Sequence, residues 1–235
     1  MPKHRILNVK SLKEHVYNYL REQMQKGTIR PGSLINVNET CKKLGVSKTP
    51  LREALLQLEM EEFVTILPRR GIVVNRLNLQ DIRRYYDIIG ALESKALAAS
   101  FSRLKPSDIK TLESLADGMD KALADDNFDL YYERNLRFHD VYLKPCDNPT
   151  LIKVVNTIKK RLYDFPRQAR FVKEWELASV GEHRELLRLI REGRREAAMH
   201  FIENVHWSFR VQEVYIRKYY SDADRPAPDA EPEAG

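Results

Sequence analysis

The chain has 235 residues, 40 Lys+Arg against 34 Asp+Glu, a formal charge of +6 and 43% hydrophobic residues. That length accommodates two cores, and that apolar content excludes a fully unfolded polymer. Two cysteines outside any CxxC spacing exclude a disulfide scaffold, and no apolar run reaches the length of a membrane span.

The opening MPKHRILNVK contains no apolar core, so no signal peptide is expected. The chain is expected in the cytoplasm, with Cys41 and Cys146 reduced. Met1 to Val9 reads as a loose basic arm. Leu12, Val16, Leu20 and Met24 recur every four residues and predict a helix ended by Gly27, followed by an Arg30-Pro31-Gly32 turn.

Asn36 and Glu39 predict a capping box, so a short helix is expected from Val37 until Gly45 stops it. Ser47 predicts the cap of a second helix, with Pro50 tolerated in its first turn. Leu51, Ala54, Leu55 and Leu58 are expected to face inward. Ser47, Lys48, Thr49 and Arg52 are then left on an outer, basic edge. That is the end of a recognition helix that enters a major groove. Phe63–Leu67 and Ile72–Val74 predict two strands joined by Pro68-Arg69-Arg70-Gly71. Two arginines and a glycine at such a tip suit a phosphate backbone or a narrow minor groove.

These elements resemble the winged helix-turn-helix of GntR-family transcription regulators. The resemblance rests on KGTIRPGSLI, LGVSKTPLREALLQLE and RRGIVV, in that order. It implies that Ser47, Lys48, Thr49 and Arg52 face DNA, together with Arg69, Arg70 and Gly71 of the wing. The family usually has arginine where this chain has Lys48, and lysine lacks the bidentate fork that reads guanine. Base readout is therefore expected to rest on Arg52. Thr40 stands where the family prefers leucine. The charge agrees, since Met1 to Leu77 carries 14 Lys+Arg and 7 Asp+Glu, whereas the remainder nets about −1.

After a polar linker at Asn75 to Leu79 the pattern is helical throughout. Helices are expected from Asp81 to about Phe101, from Pro106, over Asn127 to Tyr142, from Pro149 to about Phe165, around His183 to Ile190, and as one rod from Glu196 to Tyr220. The predicted fold is mostly α: residues 1–77 form a winged helix-turn-helix with a small β-wing, and 78–220 form an antiparallel helical bundle for effector binding and dimerisation. Residues 221–235 read as a disordered, acidic, Pro/Ala-rich tail.

Three histidines are placed inward by their neighbours. His139 shares a face with Leu136, Tyr142 and Leu143; His183 with Leu186, Leu187 and Ile190; His206 with Ile202 and Phe209. Asn135 lies one turn before His139. A lone inward histidine is ordinarily a satisfied core residue, but three from three helices form a donor set that suits a divalent transition metal such as zinc or nickel. His4, His15 and His200 are expected on the surface.

DIRRYYDIIGALESKALAAS, NLRFHDVYLKPCDNPTL, EHRELLRLIREG and ENVHWSF resemble the FadR-type C-terminal ligand-binding domain of the same family. The resemblance implies a metal set of Asn135, His139, His183 and His206, with Asn in place of the more usual Asp and hence weaker binding. It also places Ile89 where many members have a carboxylate-clamping arginine. Its absence implies either a different effector or an organic acid whose carboxylate is held mainly by the metal, in a pocket to which Arg161, Tyr163 and Ile89 are assigned.

The expected function is a ligand-responsive repressor that binds a pseudo-palindromic operator in double-stranded DNA as a homodimer. Two other classes compete: a metal-dependent enzyme using the histidines, and an architectural DNA-binding protein with a purely structural bundle. The first lacks a base, since HExxH is absent and Glu203 is the only carboxylate expected within a turn on the inward face. The second leaves the inward histidines without a role.

Overall fold

The computed structural model describes residues 11–163 and 172–221. The basic arm, the predicted helix end at Phe165 and the acidic tail lie outside the described residues. The chain divides into two compact units, Met1–Leu77 with Lys159–Arg167, and Asn78–Ile158 with Gln168–Gly235.

In the first unit Ser11 caps α1 (Leu12–Gln25), and Glu14 completes a capping box. The Ser11 N–H donates to Glu14 at 2.8 Å and the Glu14 N–H to Ser11 Oγ at 3.2 Å. Asn36 caps α2 (Val37–Leu44) by accepting from the Glu39 N–H at 3.1 Å. Gly45, at φ 63, closes α2 in the left-handed region, where a side chain would be strained. α3 (Lys48–Met60) follows, with Leu51, Ala54, Leu55 and Leu58 buried as the spacing predicts. Val16, Leu20 and Met24 of α1 meet that stripe, joined by Phe63, Val64, Ile72 and Val74. Each large apolar side chain buried there contributes about 1.5–3 kcal/mol.

The wing is a two-stranded antiparallel sheet, β1 (Val64–Leu67) and β2 (Gly71–Val74), in register from Val64↔Val74 to Leu67↔Gly71. A bridge from Leu34 to Val73 adds a third segment that the sequence did not announce. The Ile35 N–H donates to Ile72 at 2.9 Å, and the Val74 N–H donates to Ser33 at 3.0 Å. α2 has no fully buried residue and packs through half-buried Val37, Cys41 and Leu44. Thr40, in place of a leucine, turns its hydroxyl back to the Asn36 carbonyl at 2.8 Å.

The second unit is helical. Its elements are α4 (Leu79–Ser100), α5 (Pro106–Ala124), α6 (Phe128–Leu143), α7 (Pro149–Tyr163, whose last residues belong to the first unit), α8 (Lys173–Arg191), α9 (Arg195–Phe201) and α10 (Phe209–Ser221). α4 starts two residues earlier than expected. Asn78 is its cap and Asp81 its third residue, in a reciprocal capping box. The predicted single rod from Glu196 to Tyr220 is instead broken by a π-helical turn at Ile202–His206. The Trp207 N–H reaches back five residues to the Ile202 carbonyl at 3.0 Å. The inserted residue turns both His206 and Trp207 toward the interior, as such turns do at functional sites. Gly90 of α4 makes room for it. A Cβ at that position would meet Trp207 Cβ at 3.1 Å and the Glu203 carbonyl at 3.3 Å.

Candidate functional site

The DNA-facing candidates sit together in the first unit. Ser47, Lys48, Thr49 and Arg52 are exposed at the start of α3, and Ser47 makes no cap bond with its hydroxyl. Arg69, Arg70 and Gly71 are exposed at the wing tip. The Arg70 N–H closes the turn on Leu67 at 3.1 Å, with Arg69 at φ 61 and Gly71 at φ 110. Leu51, Ala54, Leu55 and Leu58 anchor the other face of α3, so the basic edge is fixed by the same periodicity that builds the core.

The histidines converge in the second unit. His139 comes from α6, His183 from α8 and His206 from the π turn, and one nitrogen of each lies within 4.8 Å of the others. The ring centroids are 4.8–5.2 Å apart. His183 is fully buried, His139 retains 3% exposure and His206 9%. The Nε2 atoms of His139 and His183 face one another at 3.2 Å. Two imidazoles bound to one zinc at about 2.0–2.1 Å would bring their nitrogens to about 3.0–3.4 Å, so this pair already has the spacing of shared ligands. Asn135 lies one turn before His139 in α6 and is half-buried.

Two carboxylates that the sequence reading missed stand behind these rings. Glu93 of α4 is fully buried, and its Oε2 accepts from His139 Nδ1 at 2.8 Å, Tyr142 Oη at 2.5 Å and Trp207 Nε1 at 3.1 Å. Glu182 of α8 accepts from His206 Nδ1 at 2.7 Å. Its other oxygen accepts from Gln212 Nε2 at 2.7 Å, and Gln212 Oε1 accepts from Trp175 Nε1 at 2.9 Å. Glu203, the one carboxylate expected here, is exposed instead. A signal for Glu93 was present, since it interrupts the apolar stripe Ile82, Tyr86, Ile89 and Leu97 at helical spacing. Nothing local pointed to Glu182, which reaches a histidine 24 residues away. Burial and the adjacent Glu93 carboxylate push the Tyr142 hydroxyl well above its ordinary range, so it stays protonated and donates.

Of the residues assigned to an effector pocket, Arg161 and Tyr163 are grouped with the first unit and Ile89 with the unit that carries the histidines. Arg161 belongs to the first unit, where its guanidinium lies 5.3 Å over the Phe63 ring and donates to the Asn75 carbonyl at 3.3 Å. Tyr163 belongs to that unit as well. Helix position alone had suggested an inward arginine; its contacts include an aromatic face and a backbone carbonyl. Ile89 is fully buried in α4. His15 and His200 are exposed, as expected, and His4 lies outside the described residues.

Residues 12–74 match the family model of bacterial regulatory proteins of the gntR family, and residues 84–205 match the FCD domain. The chain belongs to the GntR family. This GntR regulator is similar to the HTH-type transcriptional regulator YdhC of Bacillus subtilis, 26% identical over 184 residues, which are 77% of this chain and 82% of that one. It is similar to the Nta operon transcriptional regulator of Aminobacter aminovorans, 26% identical over 210 residues, 84% of this chain and 96% of that one. Its fold matches the solved structure of McbR/YncC from E. coli with a TM-score of 0.66 at 21% identity, covering 90% of this chain and all of that one. The GntR regulator therefore pairs a helix-turn-helix DNA-binding domain with a ligand-binding FCD domain, and its relatives are transcriptional regulators rather than enzymes. No described helix is long and apolar enough to cross a membrane.

Proposed function

We propose that this GntR regulator is a cytoplasmic, metal-assisted repressor. A homodimer binds a pseudo-palindromic operator through Ser47, Lys48, Thr49, Arg52 and the wing residues Arg69, Arg70 and Gly71. A single winged domain reads half a site, and two-fold pairing supplies the other half about one helical turn away. In the FCD domain His139, His183 and His206 would hold one divalent cation, zinc or nickel, with Asn135 as a weaker fourth donor. The observation that carries this reading is the convergence of three imidazole nitrogens within 4.8 Å from three separate elements. Imidazole donors match those ions, and the 3.2 Å spacing of two nitrogens fits a common ligand shell. Such a cation supplies a Lewis-acidic anchor for the carboxylate of an organic-acid effector. Effector binding alters DNA affinity to the extent that the two conformations of the FCD domain bind it unequally.

Elemental analysis of purified protein, paired with thermal melts in chelator and in added zinc or nickel, tests the metal. Saturation at a thousand times Kd is expected to stabilise the fold by about 4 kcal/mol. His183→Ala is expected to abolish that increment and leave operator binding without effector intact. Metal-free protein whose melting temperature ignores zinc and nickel would return the three histidines to a polar core.

A further inference from the structure

Two of the three histidines have their orientation dictated from behind, and hydrogen-bond directionality shows how. An indole N–H can only donate. Gln212 therefore turns its carbonyl oxygen to Trp175 Nε1 and its amide N–H to Glu182, which accepts at 2.7 Å. With that oxygen occupied, the second Glu182 oxygen accepts from His206 Nδ1 at 2.7 Å, so the Nδ1 nitrogen carries the proton. The same reasoning applies to Glu93. Its Oε2 takes the Trp207 indole N–H at 3.1 Å and the Tyr142 hydroxyl at 2.5 Å, and it faces His139 Nδ1 at 2.8 Å. Tyr142 Oη lies 2.5 Å from that same Nδ1 and, having given its proton to Glu93, can only accept there. His139 Nδ1 thus carries a proton as well. In the neutral form of each ring the lone pair is then left on Nε2, and His139 Nε2 is the atom that faces His183.

We propose that Glu93 and Glu182 are positioning residues of the metal centre, which fix His139 and His206 as Nε2 donors toward one cation. This assignment rests on the metal reading above. The network is an economical one, because adjacent residues of the π turn serve both carboxylates: His206 goes to Glu182 and Trp207 to Glu93. Glu93 thereby ties α4 and α6 to the π turn, and Glu182 with Gln212 ties α8 and α10 to it. A carboxylate behind a ligating imidazole fixes its tautomer and raises its basicity, and loss of such a partner typically weakens metal binding 10–100-fold.

The test uses the full-length protein and cobalt(II) as the probe, followed by its visible ligand-field bands. Glu93→Gln and Glu182→Gln keep side-chain size while removing the charge and allowing the ring to turn over. Each is expected to lower cobalt affinity about 10–100-fold and to shift the bands, with the metal-free melting temperature close to that of the parent. Glu182→Asp, which keeps the charge on a shorter arm, is expected to recover part of the affinity. Glu182 retains 16% exposure, so its variant decides the question should Glu93→Gln fail to fold. Unchanged affinity and bands in the variants overturn the assignment while the metal reading stands. Loss of metal-free stability with cobalt affinity intact also overturns it, because the carboxylates are then structural. A parent protein that takes up no cobalt overturns the metal reading and this assignment together.

Discussion

The two units of this GntR regulator place their chemistry in opposite ways. In the winged unit every DNA-facing candidate is exposed, and each is held by its own stretch of backbone: a cap, a helical period or a turn. In the FCD unit the candidate centre is buried, and two of its three histidines are held by a carboxylate from another element. Exposed basic contacts act nearly independently of one another. A buried polar network is cooperative, and each lost partner leaves other groups unsatisfied. The same kind of substitution should therefore be local in one unit and propagate in the other.

The sharpest way to break this contrast is at Gly90. Gly90→Ala places a methyl group against Trp207 Cβ at 3.1 Å and the Glu203 carbonyl at 3.3 Å. Relief requires the π turn to move away from α4, because neither neighbour is the far end of a flexible side chain. Overpacking of this kind costs about 1–3 kcal/mol, and the upper end is expected here. Moving the π turn displaces Trp207 from Glu93 and His206 from Glu182, so metal-dependent stabilisation should fall together with the melting temperature. A Gly90→Ala protein that melts lower but gains the full parental increment from zinc would show that the network tolerates local displacement. Operator affinity measured below the melting range should be unchanged.

The next test belongs to the winged unit. Arg52→Ala is expected to cost about 1–3 kcal/mol of specific operator affinity and to relax preference at one base, with no change in melting temperature. Lys48→Ala is expected to weaken binding evenly across DNA sequences and to reduce the salt slope by about one. The two losses should add. Strong coupling between them, or intact affinity in Arg52→Ala at fixed salt, would count against a recognition edge made of independent contacts.

The same contrast governs what was legible in the sequence. Gly45, Ser47 and the Leu51–Leu58 stripe are signals contained within a turn or two of chain, and the winged fold followed from them. His139, His183 and His206 were each assigned inward by their own helical period, so their meeting could be anticipated. What could not be read was the π turn, because a one-residue insertion leaves the apolar periodicity on either side intact. Glu182 was also hidden, since its role depends on the three-dimensional approach of that turn. Arg161 was assigned from its helix alone. Its helix was placed well, but a side chain near a helix end answers to whatever packs there, and Phe63 is far away in sequence.

The smallest expected effect sharpens the contrast by pH. Glu176 of α8 lies near Tyr131 of α6, and removal of its carboxyl from water pushes its pKa from 4.5 up to about 7. The residue as a whole is only half-buried, so the desolvation concerns the carboxyl end. Because the folded pKa is the higher one, the folded protein holds a proton that the unfolded chain has released between about pH 4.5 and 7. Stability from this group is therefore greatest at low pH, declines across that window and remains reduced above it. A pKa unit corresponds to about 1.4 kcal/mol, and allowing for the partial exposure the net cost at pH 8 is about 1–2 kcal/mol. Glu176→Gln keeps the side-chain size and cannot ionise. It should melt with the parent at pH 4.5 and a few degrees above it at pH 8. Every other titrating group is common to both proteins, so the difference between the two melting profiles isolates this carboxyl. An identical offset at both pH values would mean that Glu176 ionises as an ordinary surface carboxylate, and the α6–α8 seam would then be wet.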